Sequence, residues 1–254
     1  LSDKVLAVGN SEYETTYTIV PTIMTVYRGY TWADIQIGNT PVRFVTTHLE
    51  SLWDENDIPN AAKQAQQLIA DLKNTKNPIV IMGDFNSDPR DPRIKDDPNA
   101  GGQPTASTTC PGGTAICNAY LLMSEAGFKD VGPNALDPIN NTWGMNALLT
   151  GPDPVRLKYS QQMGNFAGYS DRLDYIFVRN GAFPIASQLI GALPPNNLNS
   201  DHAGVVSLIR IDSQVTERSA DLPEHAPFPI SFWQWVGIAL AALIVGIIVK
   251  KRFR

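Results

Sequence analysis

Pro78-Ile79-Val80-Ile81-Met82-Gly83-Asp84-Phe85-Asn86-Ser87-Asp88-Pro89 decides how the chain folds. Its apolar run, rich in β-branching, predicts a buried strand, and the Gly-Asp-Phe-Asn that follows sets a carboxylate and an amide just past the strand's carboxyl end. α/β proteins keep their chemistry at that end. Asp84 and Asn86 are two positions apart, so continued extension would point both one way and turn Phe85 to the packing side. The carboxylate can take a proton from water, and the amide can donate to an oxygen that gains negative charge. The same residues also suit a plain Asp/Asn turn that closes a strand.

Upstream, Ala62, Ala65, Leu68, Ile69 and Leu72 recur at helical spacing and predict a helix over residues 60–73. Residues 42–47 predict a strand that delivers His48 at its end, so strand, helix and the Gly-Asp-Phe-Asn strand make one crossover unit. Residues 28–41 read as a hairpin with Gly38-Asn39 at the corner. Short strands are expected at 4–8 and 15–20, with 22–26 continuing the second past Pro21. Asp54-Glu55-Asn56-Asp57 reads as a solvated loop whose charge favours the helix start rather than as a metal cluster. Downstream, 88–118 reads as a long surface loop, 119–126 as a short helix ended by Gly127, and 128–131 as a return to the sheet. Residues 132–169 are loop-like, and their Thr142-Trp143 and Tyr159 suit either a substrate wall or burial under the loop. Residues 173–178 predict a strand in which Asp174, between apolar neighbours, requires a partner. The last strand of the domain falls at 205–211.

Four stretches occur in a telling order: Thr46-Thr47-His48-Leu49-Glu50, Gly83-Asp84-Phe85-Asn86, Ser170-Asp171-Arg172-Leu173-Asp174-Tyr175 and Ser200-Asp201-His202. Together they resemble the motif set of the endonuclease/exonuclease/phosphatase superfamily, which includes pancreatic deoxyribonuclease, abasic-site endonucleases, sphingomyelinases and inositol-phosphate phosphatases. The resemblance covers roughly residues 1–211. It implies a deoxyribonuclease-like two-sheet α/β sandwich and hydrolysis of a phosphate ester with Mg²⁺ or Mn²⁺. In that pattern Asp84 orients or deprotonates water, Asn86 stabilises the pentacovalent phosphate, His48 and His202 bind its oxygens, Asp174 fixes the His202 imidazole, and Asp201 is a metal ligand. Two of the three histidines in the chain fall in these motifs.

One departure stands beside the matches. The superfamily's metal-facing Asn and its Gln-Glu strand have no counterpart before Gly-Asp-Phe-Asn; Glu12 and Glu14 follow no apolar strand of that kind, and Glu50 belongs to the His48 motif. The resemblance therefore implies that the amino-terminal strands of the fold lie upstream of Leu1, and that residues 1–254 alone have little or no activity. An inactive surface interaction module that keeps the fold is the competing reading. Inward charges such as Asp84 and Asp174 argue against it, since a purely structural descendant has no need of them.

The chain of 254 residues, 43% of them hydrophobic, suits one α/β domain over residues 1–212 plus an appendage. Its formal charge is −5, and Lys250, Lys251, Arg252 and Arg254 at the end account for four of its 20 basic residues, leaving 16 against 25 acidic ones, or −9. So acidic a body is poorly matched to gripping nucleic acid through many phosphates, which tilts the reading slightly from DNA but leaves room for a nuclease with a local basic groove; nucleic acid, phospholipid and small phosphoester all stay open as substrates. Cys110 and Cys117 bound a short Gly-rich loop without further metal-ligand pairs, and a disulfide between them is expected, with two reduced, buried thiols as the alternative. Residues 213–229 read as a linker. Residues 230–249 carry no charge, hold Trp233 and Trp235 near one end and precede Lys-Lys-Arg-Phe-Arg, so a single transmembrane helix with a basic cytoplasmic tail at 250–254 is expected. That orientation places the catalytic body outside the cytoplasm.

Overall fold

A computed structural model describes residues 4–20, 24–52, 54, 58–90, 118–144, 154–191 and 200–212. They fall in the first of two units into which the chain divides, Leu1–Val215. The expected Cys110–Cys117 bond, the linker, the membrane span at 230–249 and the basic tail lie outside the described residues. Among the described residues no helix is long and apolar enough to cross a membrane.

The strands are β1 (Lys4–Glu12), β2 (Tyr17–Val20), β3 (Met24–Val26), β4 (Gly29–Ile37), β5 (Thr40–His48), β6 (Ile79–Asp84), β7 (Lys129–Asp130), β8 (Asp174–Arg179), β9 (Ala182–Ile190) and β10 (Gly204–Ile211). The helices are α1 (Asn60–Leu72), α2 (Ala119–Glu125) and α3 (Pro154–Gln162). Among the described residues a six-stranded mixed sheet runs in the order β1-β4-β5-β6-β8-β7. The β4–β5 hairpin closes at Gly38-Asn39, where Gly38 takes φ 58°, a turn conformation that glycine adopts without a Cβ penalty. From β5 the chain crosses through α1 and returns parallel as β6, and β8 then pairs antiparallel with β6.

Alternation along β6 fixes the layers. Ile79 and Ile81 face one way and, with Val45, Phe85, Tyr175 and Phe177, pack against Ala65 and Leu68 of α1 and Met123 of α2. Val80 faces the other way and joins Val42, Val178 and Val131, on which Ile209 and Ile211 of β10 are packed. Each such side chain, fully buried, contributes about 1.5–3 kcal/mol. The result is a helix layer, the mixed sheet, and a two-stranded sheet of β9 and β10 on the far face: an α/β sandwich whose second sheet is small. The outer side of that second sheet leaves Ile185, Ile190, Val206 and Leu208 exposed.

Two expectations are corrected, and one strand had none. β3 does not continue β2 but folds back antiparallel on it, Tyr17 opposite Val26. The stretch 132–169 contains α3, which has no apolar stripe for a periodicity argument to find. β9 also gave no strand pattern: Pro184 interrupts it, and the register shifts at Pro184 where it pairs with β10.

Candidate active site

The register of three neighbouring strands brings the motifs together. His48 ends β5 opposite Asp84, which ends the parallel β6, and Asp84 lies opposite Asp174, which begins the antiparallel β8. Glycine is required at position 83: φ is 156°, and a Cβ there would sit 1.9 Å from the Thr47 carbonyl oxygen. His48 Nε2 is 3.4 Å from Asp84 Oδ2, and His202 Nε2 is 3.9 Å from the same oxygen. His202 Nδ1 and Asp174 Oδ2 are 2.9 Å apart. A carboxylate only accepts, so Nδ1 carries the proton and Nε2 faces Asp84. The partner that Asp174 required is thus the imidazole of the Ser200-Asp201-His202 stretch.

Asn86 departs from the simple extended geometry. It has φ 45°, and its backbone N–H donates to Asp84 Oδ1 at 2.8 Å, so an Asp/Asn turn closes β6 at the site itself. Its side-chain amide donates to the Leu49 carbonyl at 2.7 Å and has a second N–H to offer. Phe85 is fully buried, with ring contacts to Tyr175 and Phe177 at 5.9 and 5.0 Å between centroids.

Burial first, and then the charge of Asp174, push the Asp84 carboxyl up to about 6, against the Asn86 N–H, His202 and Arg28. A carboxylate so placed is a base poised near neutral pH. Burial alone would lower the His202 pKa, but the hydrogen bond and charge of Asp174, with Asp84 and Asp201, outweigh it and raise it. His48 is lowered by burial, then by Arg28 and His202. The two imidazoles therefore differ in charge preference while flanking one carboxylate.

Asp84, Asp174 and His202 each bring a ligand atom within 4.8 Å of the others. Mg²⁺ is commonly held by one or two carboxylates with waters and a substrate phosphate, and Mn²⁺ also accepts imidazole, so these donors fit such an ion by type. Asp201, the expected ligand, is not in that trio; its Oδ2 accepts from Trp143 Nε1 at 3.3 Å.

Motif reading passed over several neighbours. Arg28 Nε donates to Glu50 Oε2 at 3.3 Å, and Glu50, 3% exposed, also accepts from the Ser51 and Leu52 N–H groups. Arg28 stands where hairpin and turn chemistry hide a functional signal; its mark is a cation held beside a buried carboxylate in the His48 motif. The Asp54 cluster is in part tied down, with Asp54 accepting from Lys63 Nζ and the Ile58 N–H. An open groove of about 460 Å³ beside His48 is lined by Asn10, Glu12, Thr31 and Thr46 among others.

The pattern that defines the Endonuclease/Exonuclease/phosphatase family matches residues 11–202, and the chain belongs to that family. It is by class a phosphoric ester hydrolase. Among curated proteins no match is found. Similar solved structures include D. rerio TDP2 complexed with a single-strand DNA product, at 20% identity and TM-score 0.48, covering 82% of this chain and 68% of that one. An endonuclease/exonuclease/phosphatase from Bacteroides vulgatus shares 16% identity at TM-score 0.47, with 83% and 67% covered. A mannosyl-6-phosphatase from Bacteroides thetaiotaomicron shares 13% at TM-score 0.43, with 82% and 67% covered.

Proposed function

We propose that this chain hydrolyses a phosphodiester or phosphomonoester of a lipid or small molecule with the aid of Mg²⁺ or Mn²⁺. The observation that carries the reading is the convergence of His48, Asp84, Asp174 and His202 at adjacent strand ends. Asp84 accepts a proton from the attacking water. His202, oriented through Nδ1 by Asp174, presents Nε2 to a phosphate oxygen, and His48 binds another from the opposite side of Asp84. The second N–H of the Asn86 amide donates to the phosphate as charge builds on it. Asp201, which the motif order assigns to the metal, and the clustered carboxylates of Asp84 and Asp174 are the groups that would hold a divalent ion, which would supply Lewis-acid polarisation. The acidic charge of the chain supports a small or lipid phosphoester over nucleic acid.

Hydrolysis of bis(p-nitrophenyl) phosphate and p-nitrophenyl phosphate, with EDTA, Mg²⁺ or Mn²⁺, tests this. Residues 1–254 should show little or no turnover and a version extended upstream should regain it with Mg²⁺ or Mn²⁺, because further oxygen ligands are expected on upstream strands. Activity should fall at least about 100-fold in His202→Ala. Turnover that ignores metal, or survives His202→Ala and Asp84→Ala, would sink the proposal.

The same reading includes a single-pass anchor at residues 230–249 with the catalytic body outside the cytoplasm, supported by the uncharged Trp-flanked run and its basic end. Protease shaving of intact cells should release the domain, and retention would count against that topology. A Cys110–Cys117 disulfide is proposed for the exported protein. Alkylation of both thiols without reductant would refute it.

A further inference from the structure

Thr142 and Trp143 touch both halves of the His202–Asp174 pair without belonging to either. Thr142 is fully buried, and its Oγ1 accepts from the N–H groups of Leu173 and Asp174 at 3.1 and 3.2 Å. Its own N–H donates to the Asp171 carbonyl at 2.7 Å, and its carbonyl accepts from the Ala203 N–H at 2.7 Å. Trp143 extends the splint, bridging to Asp171 on one side and to His202 on the other. One buried residue therefore grips the start of β8 with its hydroxyl and the residue after His202 with its carbonyl.

We infer that Thr142 is a positioning residue: its hydroxyl oxygen fixes where β8 begins, and so sets the separation at which the Asp174 carboxylate meets His202. The inference rests on the proposed roles of those two residues. The chemistry favours a hydroxyl over its alternatives. Two N–H groups converge on one site, a hydroxyl oxygen has two lone pairs to receive them, and the hydroxyl proton remains to donate elsewhere. An aliphatic side chain of the same shape would leave both N–H groups buried without acceptors, and the local backbone would move to find others. A shift of about 1 Å in a reacting constellation lowers the rate on the order of 100-fold. Nothing in the sequence around Thr142 marks it as different from any buried loop threonine; only the long-range bonds do.

The test compares Thr142→Val, which keeps the volume and loses the acceptor, with Thr142→Ser, which keeps the acceptor. Val42→Ala, in the second core cluster, serves as a control for general loss of stability. The first readout is the low-field Nδ1–H proton resonance of His202 in labelled chain, which reports the bond to Asp174 without requiring turnover. It should vanish or move upfield in Thr142→Val, and remain in Thr142→Ser and Val42→Ala. The second is the split of kinetic constants in the version extended upstream, with Mn²⁺: kcat should fall about 10- to 100-fold in Thr142→Val with KM changed less than about threefold. If Thr142→Val does not fold, Thr142→Ala carries the same readouts, because water can enter to serve the freed N–H groups. An unshifted resonance in the acceptor-less variant, or its loss in Thr142→Ser, overturns the inference. Absent turnover in the version extended upstream counts against the phosphoesterase reading instead, and the resonance then judges Thr142 alone.

Discussion

Replacing Asp84 by Asn should stabilise the protein at pH 8 while removing its activity. The carboxyl is pushed from 3.8 to about 6, by burial first and the charge of Asp174 second. Its folded pKa lies above its unfolded one, so between these values the native state holds more protons than the unfolded chain. Stability therefore falls as pH rises through that window, and the whole loss is present above about pH 6. Roughly two pKa units at ~1.4 kcal/mol each amount to about 3 kcal/mol. The side chain is 13% exposed, so solvent screens little of this. Asn keeps an oxygen to accept the Asn86 N–H, now 2.8 Å from Asp84 Oδ1, and the turn survives. Urea unfolding in EDTA at about pH 4 and about pH 8 measures the effect. The variant should gain on the order of 3 kcal/mol over the parent at the higher pH and little at the lower. His202, with its raised pKa, tilts both proteins the same way: its contribution is full below the unfolded value near 6.5 and disappears as pH climbs past the folded one. Adding Mn²⁺ should close the gap by stabilising only the parent. A variant no more stable than the parent at about pH 8 would refute the claim that Asp84 is held ionised against its surroundings.

Two further substitutions probe the scaffold. Gly83→Ala drives a Cβ onto the Thr47 carbonyl oxygen, 1.9 Å away, and should destabilise by on the order of 3 kcal/mol; a drop below about 1 kcal/mol in urea unfolding would show that β5 and β6 can part locally. Arg172→Met removes a fully buried guanidinium that donates to the Asp174 and Asn140 carbonyls and offsets the charge of Asp130. A loss of about 3–5 kcal/mol is expected, and a neutral result would mean that the pocket re-forms around the thioether.

Period-two apolar strands, a helix with an apolar stripe between two of them and turn residues at Gly38-Asn39 made the sheet from β4 to β6 legible in sequence, because each signal is local. The placement of His48 and Asp84 followed from strand ends alone. The meeting of Asp174 with His202 came from the family resemblance, since no local signal links β8 to the residues before β10. α3 and β9 escaped because their polarity and prolines erase periodicity. Asn86 was legible as a residue and not as a conformation: its left-handed backbone answers to Asp84 Oδ1 and the Leu49 carbonyl, which extended-strand geometry does not anticipate. Thr142 and Arg28 were hidden for a related reason. Their importance lies in bonds to distant segments, while their sequence neighbourhoods look like ordinary loop and hairpin.

The order of the site along the chain has a consequence during synthesis. A nascent polypeptide that has left the ribosome as far as β6 can form the β4–β5 hairpin and the α1 crossover, contacts of modest sequence separation that form early. His48 and Asp84 then stand side by side with no imidazole at position 202 and no Asp174 to hold one. The constellation closes only when β8 inserts beside β6 and the residues before β10 reach the splint at Thr142 and Trp143. On the proposed roles of Asp174 and His202, hydrolysis waits until the residues just before β10 are in hand, and a chain ending before position 202 should turn over no phosphoester.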